Sequence, residues 1–182
     1  MRITSKEYNL NGRTLVIRSA EKEDADVLLP YLKRVCGETR YLRCEADECT
    51  EFTLEQEEEF ILHHTEGPRA GLLLAFFDGE YVGNASFDAV GSSRRNRHRA
   101  DIGIALYQEA TGMGIGTILL SSVLEAVKDC FFESVELTVV SENRRAIHLY
   151  EKFGFVECGR IPNANKYDDG SYSDDVLMIR KM

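Results

Sequence analysis

Residues 105–120, ALYQEATGMGIGTILL, contain the end of an apolar strand, a short polar turn, three alternating glycines and the start of an apolar helix. Gly112, Gly114 and Gly116 carry no Cβ atom, so backbone N–H groups in this turn can approach a bound group closely. The helix that follows adds its own unpaired N–H groups and the positive end of its dipole. This arrangement is suited to bind an anion such as phosphate or pyrophosphate. A turn that binds nothing is the alternative interpretation.

Two common phosphate-binding motifs do not fit these glycines. The Walker loop requires Gly-Lys-Ser/Thr at the start of the helix, whereas this chain has Gly116, Thr117 and Ile118. The dinucleotide motif G-x-G-x-x-G fails from either starting glycine, because Thr117 and Leu119 stand where the third glycine belongs.

The turn instead resembles the acyl-coenzyme A loop of the GNAT N-acetyltransferase superfamily, whose pattern is Gln/Arg-x-x-Gly-x-Gly/Ala. Residues 111–116 match this pattern except at the first position, where Thr111 replaces the usual Gln or Arg. The departure leaves phosphate binding more dependent on backbone N–H groups and less on a side chain.

A second motif, VSENRRAIHLYEKFGF at residues 140–155, resembles the closing motif of the same family, Asn-x-x-Ala-x-x-Leu-Tyr-x-Lys-x-Gly-Phe. Its matching residues are Asn143, Ala146, Leu149, Tyr150, Lys152, Gly154 and Phe155. The two motifs follow each other in the family's order, with a predicted strand between them, and together they are more specific than either alone. The resemblance covers the second half of the chain well and the first half by its strand–helix–helix–strand layout.

The resemblance implies acetyl-coenzyme A as a co-substrate. In that family the strand before the glycine turn splays from its neighbour, so that its backbone groups pair with the coenzyme arm and one N–H polarises the thioester oxygen. Asn143 is expected on the same arm, although it can also cap its own helix. The expected coenzyme contacts are Ile104, Ala105, Leu106, Thr111, Gly112, Met113, Gly114, Ile115, Gly116, Thr117, Asn143, Tyr150 and Lys152.

Acyl transfer from a thioester to an amine requires a proton donor for the departing thiolate. Tyr150 lies on the helix stripe of Ala146, Leu149 and Phe153, so its ring is held by packing while its hydroxyl can face a cleft. A phenol of pKa near 10 can donate to a thiolate whose conjugate acid has a pKa near 8.5. Tyr150 is therefore the predicted general acid, and a core tyrosine with a satisfied hydroxyl is the alternative.

The base that takes the proton from the acceptor amine is harder to identify. Asp101 on the strand before the turn, or His98 just before that strand, could accept this proton, directly or through water. A histidine suits the task by its ordinary pKa, whereas an aspartate needs burial to raise its pKa. Asp101 is the first candidate, and an equally good interpretation makes it a structural carboxylate bonded to the arginine-rich loop.

Composition limits the possible partners of the chain. With 182 residues, 43% of them hydrophobic, residues 1–182 are expected to form one domain with a proper core. The net charge of −9 argues against a nucleic-acid-binding surface. No apolar run reaches the roughly 20 residues that span a bilayer, and the first residues lack the apolar core of a secretory signal. We therefore expect no membrane association and a cytoplasmic location.

Five cysteines form no CxxC pair and are odd in number. They are expected to be reduced thiols, with no disulfide framework and no metal site. They are Cys36, Cys44, Cys49, Cys130 and Cys158.

Periodicity and turn signals predict an α+β sandwich, a mixed and mostly antiparallel sheet of about seven strands with helices on both faces. Asp78-Gly79 indicates a hairpin turn, Gly83-Asn84 a bulge, Gly37 the end of the first helix and Pro162 a strand break. The expected strands are residues 14–18, 70–77, 80–89, 100–107, 135–140, 155–161 and 176–180, and the later helices are residues 54–64, 115–130 and 142–153.

The predicted function is transfer of an acetyl group from acetyl-coenzyme A to a primary amine, by direct attack in a ternary complex. A free amino acid or other small amine is the expected acceptor, and the expected state is a monomer or homodimer. A protein N-terminal acetyltransferase of the ribosomal-protein type and a non-catalytic acyl-coenzyme A sensor remain the alternatives.

Overall fold

The computed structural model describes residues 2–182, apart from the side chain of Thr50. Within that range the chain forms eight strands and four α-helices. In chain order these are β1 (Lys6–Leu10), β2 (Arg13–Ser19), α1 (Ala25–Glu38), α2 (Leu54–Glu66), β3 (Ala70–Phe77), β4 (Glu80–Ala89), β5 (Arg99–Leu106), α3 (Ile115–Asp129), β6 (Ser134–Val140), α4 (Arg144–Lys152), β7 (Val156–Lys166) and β8 (Tyr172–Lys181).

The strands form one sheet in the order β1-β2-β3-β4-β5-β6-β8-β7. Every neighbouring pair is antiparallel except β5 and β6, which run parallel. A parallel pair needs a crossover connection, and α3 supplies it between β5 and β6.

Helices cover both faces of the sheet, as predicted. The main core lies between the sheet and the α3–α4 side, where Ile115, Leu119 and Val123 of α3 are fully buried. The opposite face is covered by α1 and α2, where Leu28 and Ile61 pack on the strand residues of β3. Within residues 2–182, no helix combines the length and apolarity needed to cross a bilayer.

Short turn and cap signals explain where several elements begin and end. Asp78 and Gly79 have φ values of 52° and 84°, the left-handed pair that a tight β3–β4 hairpin requires. The register of β3 and β4 shifts between Ala75 and Phe76, opposite the predicted bulge. Thr53 caps α2, because its hydroxyl accepts from the Gln56 N–H at 3.3 Å and the Gln56 side chain accepts from the Thr53 N–H at 2.9 Å.

The predicted strands and helix ends need three corrections. The sheet has eight strands rather than about seven, because β1 pairs with β2 through the Asn11-Gly12 turn. β7 does not break at Pro162 but continues to Lys166, since an edge strand tolerates proline at an irregular register. Helix α1 includes Gly37 and ends at Glu38.

Candidate active site

A cavity of about 1230 Å³ opens where β5 and β6 separate. These strands pair through three residues each, from Arg99 opposite Ser134 to Asp101 opposite Glu136. Beyond that point β5 continues without a partner on its β6 side, and residues 102–106 and 138–140 line the cavity. The predicted splay is therefore present, and backbone groups of β5 face the cavity instead of a strand.

The glycine turn lies at one end of this cavity. Gly112 and Gly114 have φ values of 81° and 90°, a region that side chains other than glycine rarely adopt. The N–H groups of residues 112–116 donate to no acceptor within the described residues, and the next N–H, that of Thr117, donates to the Gly114 carbonyl at 3.1 Å. Five consecutive N–H groups at the start of α3 thus remain available for an anion.

Arg145 of α4 supplies the charge that the glycine turn itself lacks. Its guanidinium donates to the Thr111 hydroxyl, and this hydroxyl donates in turn to the Gln108 carbonyl at 2.7 Å. Arg145 and Thr111 both line the cavity. A cation therefore stands at the position where the motif usually places Gln or Arg, although it comes from a different element.

Helix α4 places two predicted residues on the cavity. The Asn143 side chain accepts from the Ala146 N–H at 3.2 Å, which confirms its capping role. The Tyr150 ring is buried, with its centroid 5.8 Å from that of Phe155. Tyr150 also lines the cavity, so packing holds its ring at the cavity wall. Burial, with the Asp101 charge adding to it, raises the pKa of Tyr150, which keeps the hydroxyl protonated.

Asp101 faces the same cavity from β5, at the last residue pair before the strands separate. Partial burial first, and then the Glu136 carboxylate, raise the pKa of Asp101 to about 6, with Arg43 opposing both. Glu136 is itself held by a bidentate contact from Arg99, at 2.6 and 2.9 Å. A carboxylate with this pKa is ionised at neutral pH and can still accept a proton.

The wall beyond Asp101 comes from the segment after α1 and from the β7–β8 hairpin. The Arg40 guanidinium lies 3.6 Å from the centre of the Tyr167 ring, and the Tyr167 hydroxyl donates to the Arg40 carbonyl at 3.2 Å. Buried Asp175 accepts from the Asn165 amide at 2.9 Å and lies 3.6 Å from the Arg43 guanidinium. This end of the cavity therefore presents carboxylates and a guanidinium together.

Most predicted site residues line the cavity, and three do not. His98 precedes β5 at the end where β5 and β6 are still paired, and its carbonyl accepts from the Glu133 N–H at 2.9 Å. Asp101 therefore lies on the cavity, and His98 lies outside its lining. Ile115 is buried in the core and Met113 points away from the lining, so their backbone N–H groups alone are available. The residues that line the cavity as predicted are Asp101, Ile104, Ala105, Leu106, Thr111, Gly112, Gly114, Gly116, Thr117, Asn143, Tyr150 and Lys152.

The splayed strands, the glycine turn and the α4 motif together define the GNAT class of fold. A model of the acetyltransferase (GNAT) family matches residues 38–155. An acetyltransferase of the GNAT family from Streptococcus pneumoniae superimposes with a TM-score of 0.87 at 31% identity, over 92% of this chain and 99% of that one. The chain belongs to this family.

Two further comparisons mark the range of relatives. An L-amino acid N-acetyltransferase, AaaT, from Escherichia coli (strain K12) is 32% identical over 111 residues, which are 59% of this chain and 66% of that relative, just under two thirds of its length. A phosphinothricin acetyltransferase from Sinorhizobium meliloti, solved in complex with AcCoA, has a TM-score of 0.81 at 20% identity, over 92% of this chain and 88% of that one. At that identity the second comparison supports the fold alone.

Proposed function

We propose that this chain transfers the acetyl group of acetyl-coenzyme A to the amine of a free amino acid or similar small amine, by direct attack in a ternary complex. The observation that carries the proposal is the cavity itself. Its lining combines the glycines of the turn, whose N–H groups are unpaired, with Tyr150 and Asp101.

The half of the cavity formed by the glycine turn and the free edge of β5 suits the coenzyme that donates the acetyl group. The N–H groups of residues 112–116 and the Arg145 guanidinium suit a pyrophosphate, and the unpaired edge of β5 suits an amide-rich arm. Lys152, from the same helix as Arg145, adds positive charge to this half. Acetyl-coenzyme A supplies an acetyl group activated as a thioester, and in the proposal an N–H of β5 polarises its carbonyl oxygen.

Tyr150 and Asp101 take opposite proton-transfer roles in the proposal. The acceptor amine must lose a proton to become a nucleophile, and ionised Asp101 takes that proton directly or through one water. The departing thiolate must gain a proton, and the Tyr150 hydroxyl provides it and is later reprotonated from solvent. The carbon–sulfur bond breaks as the carbon–nitrogen bond forms, and its electron pair leaves with the sulfur. The attacking nitrogen then releases its second proton to water, and Asp101 returns the first proton to solvent, so that charge and protons balance.

The end of the cavity that carries Arg43, Asp101 and Asp175 suits an acceptor with both an ammonium and a carboxylate group. Asp101 and Asp175 attract an ammonium group, and Arg43, whose side chain is 75% exposed, can turn from Asp175 to an acceptor carboxylate. A simple amine has no carboxylate and therefore cannot make the contact with Arg43.

A thiol-release assay with a panel of amines tests the proposal. We expect release of coenzyme A with free L-amino acids, weaker release with polyamines and aminoglycosides, and little with short peptides. Faster release with peptides than with free amino acids would favour the protein N-terminal alternative. Saturable coenzyme binding without release from any acceptor would favour the sensor, and absence of coenzyme binding would remove the proposal altogether.

A further inference from the structure

Two histidines and an aspartate meet on the α2 side of the sheet, outside the cavity. His63 and His64 lie in the last turns of α2, and Asp88 lies on β4. The His63 Nε2 is 2.9 Å from one Asp88 carboxylate oxygen and the His64 Nε2 is 2.9 Å from the other. One ligand atom from each residue lies within 4.8 Å of the other two.

The hydrogen bond on the far side of the His64 ring determines what Nε2 can do. Its Nδ1 lies 2.8 Å from the Phe60 carbonyl oxygen, which can only accept, so Nδ1 carries the hydrogen. In the neutral ring the Nε2 lone pair then points at a carboxylate oxygen of Asp88. Two acceptors at this distance need a cation between them, which is either a proton or a metal ion.

The donor set and its surroundings suit a metal ion. Two imidazoles and one carboxylate are the ligands that Zn²⁺ and related divalent ions take in proteins. An Nδ1–H bonded to a backbone carbonyl is the contact that orients a ligating histidine. His64 is buried while the His63 side chain is 63% exposed, so the site has one packed side and one side open to water.

Binding of one ion requires a local rearrangement. Two ligand atoms of a tetrahedral Zn²⁺ with bonds of about 2.0–2.1 Å lie about 3.3 Å apart. The two N–O distances of 2.9 Å would lengthen by a few tenths of an ångström, and the wider separation among the three ligand atoms, which reaches up to 4.8 Å, would close by rotation of the exposed His63 side chain. A water molecule would complete the four ligands on the open side.

We propose that His63, His64 and Asp88 bind a divalent transition-metal ion of the zinc class. The ion ties the C-terminal turn of α2 to β4. None of the three residues lines the cavity, although Asp88 lies directly opposite Asp101 in the β4–β5 pairing.

Metal titration of the full chain tests this site. After removal of bound metal with a chelator, calorimetry with Zn²⁺ should show one saturable site, and saturating Zn²⁺ should raise Tm by several degrees. His63→Ala and Asp88→Asn should each weaken Zn²⁺ affinity at least tenfold. His63 is exposed, so its replacement does not threaten folding. His148→Ala is the matched control, because His148 is a similarly exposed helical histidine, and its affinity should equal that of the unchanged protein.

Co²⁺ separates this site from the cysteines. The Cys36 and Cys49 sulfurs lie 3.4 Å apart and offer an alternative location for a metal. Ligation by nitrogen and oxygen gives visible Co²⁺ bands without the near-ultraviolet band of a thiolate ligand. A thiolate band that Cys49→Ser abolishes and Asp88→Asn leaves unchanged would overturn the proposal. Equal Zn²⁺ affinity in the His63→Ala variant, or no saturable binding up to about 1 mM Zn²⁺, would overturn it as well.

Discussion

Replacing Asp101 with asparagine should make the protein more stable and less active, and both effects depend on one ionisation. The pKa of Asp101 in the folded chain is about 6, against an ordinary value of 3.8. That difference corresponds to about 3 kcal/mol. Because water in the cavity reaches the carboxylate, we expect solvent screening to reduce the effect to about 1 kcal/mol.

The sign of the stability effect follows from the raised pKa. Below about pH 3 Asp101 is mostly protonated in the folded and the unfolded chain, so asparagine changes little. As pH rises from about 3 to 6 the unfolded chain loses this proton first, and the folded state loses the corresponding stability. At pH 7.5 the Asp101→Asn variant should therefore unfold with a free energy about 1 kcal/mol higher than the unchanged protein, a Tm increase of about 2–4 °C.

The activity should change in the opposite direction. In the unchanged protein kcat/KM should fall about tenfold per pH unit below a midpoint near 6, since the base must be ionised. Asp101→Asn should abolish this fall at acid pH and lower the kcat/KM measured at high pH roughly 10²-fold. Glu136→Gln is the companion variant, because removal of that charge should move the midpoint below 6. If kcat/KM of the asparagine variant still fell below a midpoint near pH 6, another group would be the base.

Three further variants test the remaining parts of the site. Tyr150→Phe should lower kcat roughly 10²-fold with an unchanged Kd for coenzyme A, because phenylalanine keeps the buried ring and removes only the hydroxyl. An unchanged kcat would remove Tyr150 from the mechanism. Gly114→Ala should lower the free energy of unfolding by about 1 kcal/mol, because its φ of 90° disfavours a side chain, and should also weaken coenzyme binding. Gly12→Ala is the control, because Gly12 has a similar φ of 85° in the β1–β2 turn; it should lose the same stability and leave coenzyme binding unchanged. Arg145→Ala should raise the KM for acetyl-coenzyme A about fivefold, or about 1 kcal/mol, and Arg160→Ala, which removes an exposed arginine outside the cavity, should not. Equal KM values for these two arginine variants would refute the role given to Arg145.

Elements that carry a strong local signal were predictable, and β1 shows what was not. β3 and β4 have the predicted bounds because an apolar run and an Asp-Gly turn both mark them. β1 is an edge strand with mostly exposed side chains, so KEYNL shows no apolar alternation and the strand was not predicted. The continuation of β7 past Pro162 has the same origin, because an edge strand does not need every N–H of its backbone.

Some residues of the candidate site belong to local sequence motifs and could be predicted, whereas others meet only in the folded chain. The glycine turn and Tyr150 belong to local motifs, and both lie on the cavity. Asp175 and Arg43 meet only because the sheet order brings β8 beside β6, near the segment after α1. His63 and Asp88 likewise become neighbours only when α2 packs on β4. No local pattern marks such pairs, since their chemistry arises from contacts between distant parts of the chain.

The contact between Arg145 and Thr111 shows why a departure from a motif can mislead. With Thr111 in place of Gln or Arg, the turn alone suggests weak side-chain support for a phosphate. In the folded chain the guanidinium of Arg145 donates to the Thr111 hydroxyl, so a positive charge stands beside the turn. A bound anion interacts with the charge at that point and not with the position that supplies it. The Thr111 hydroxyl therefore serves as the acceptor that holds the Arg145 guanidinium beside the turn.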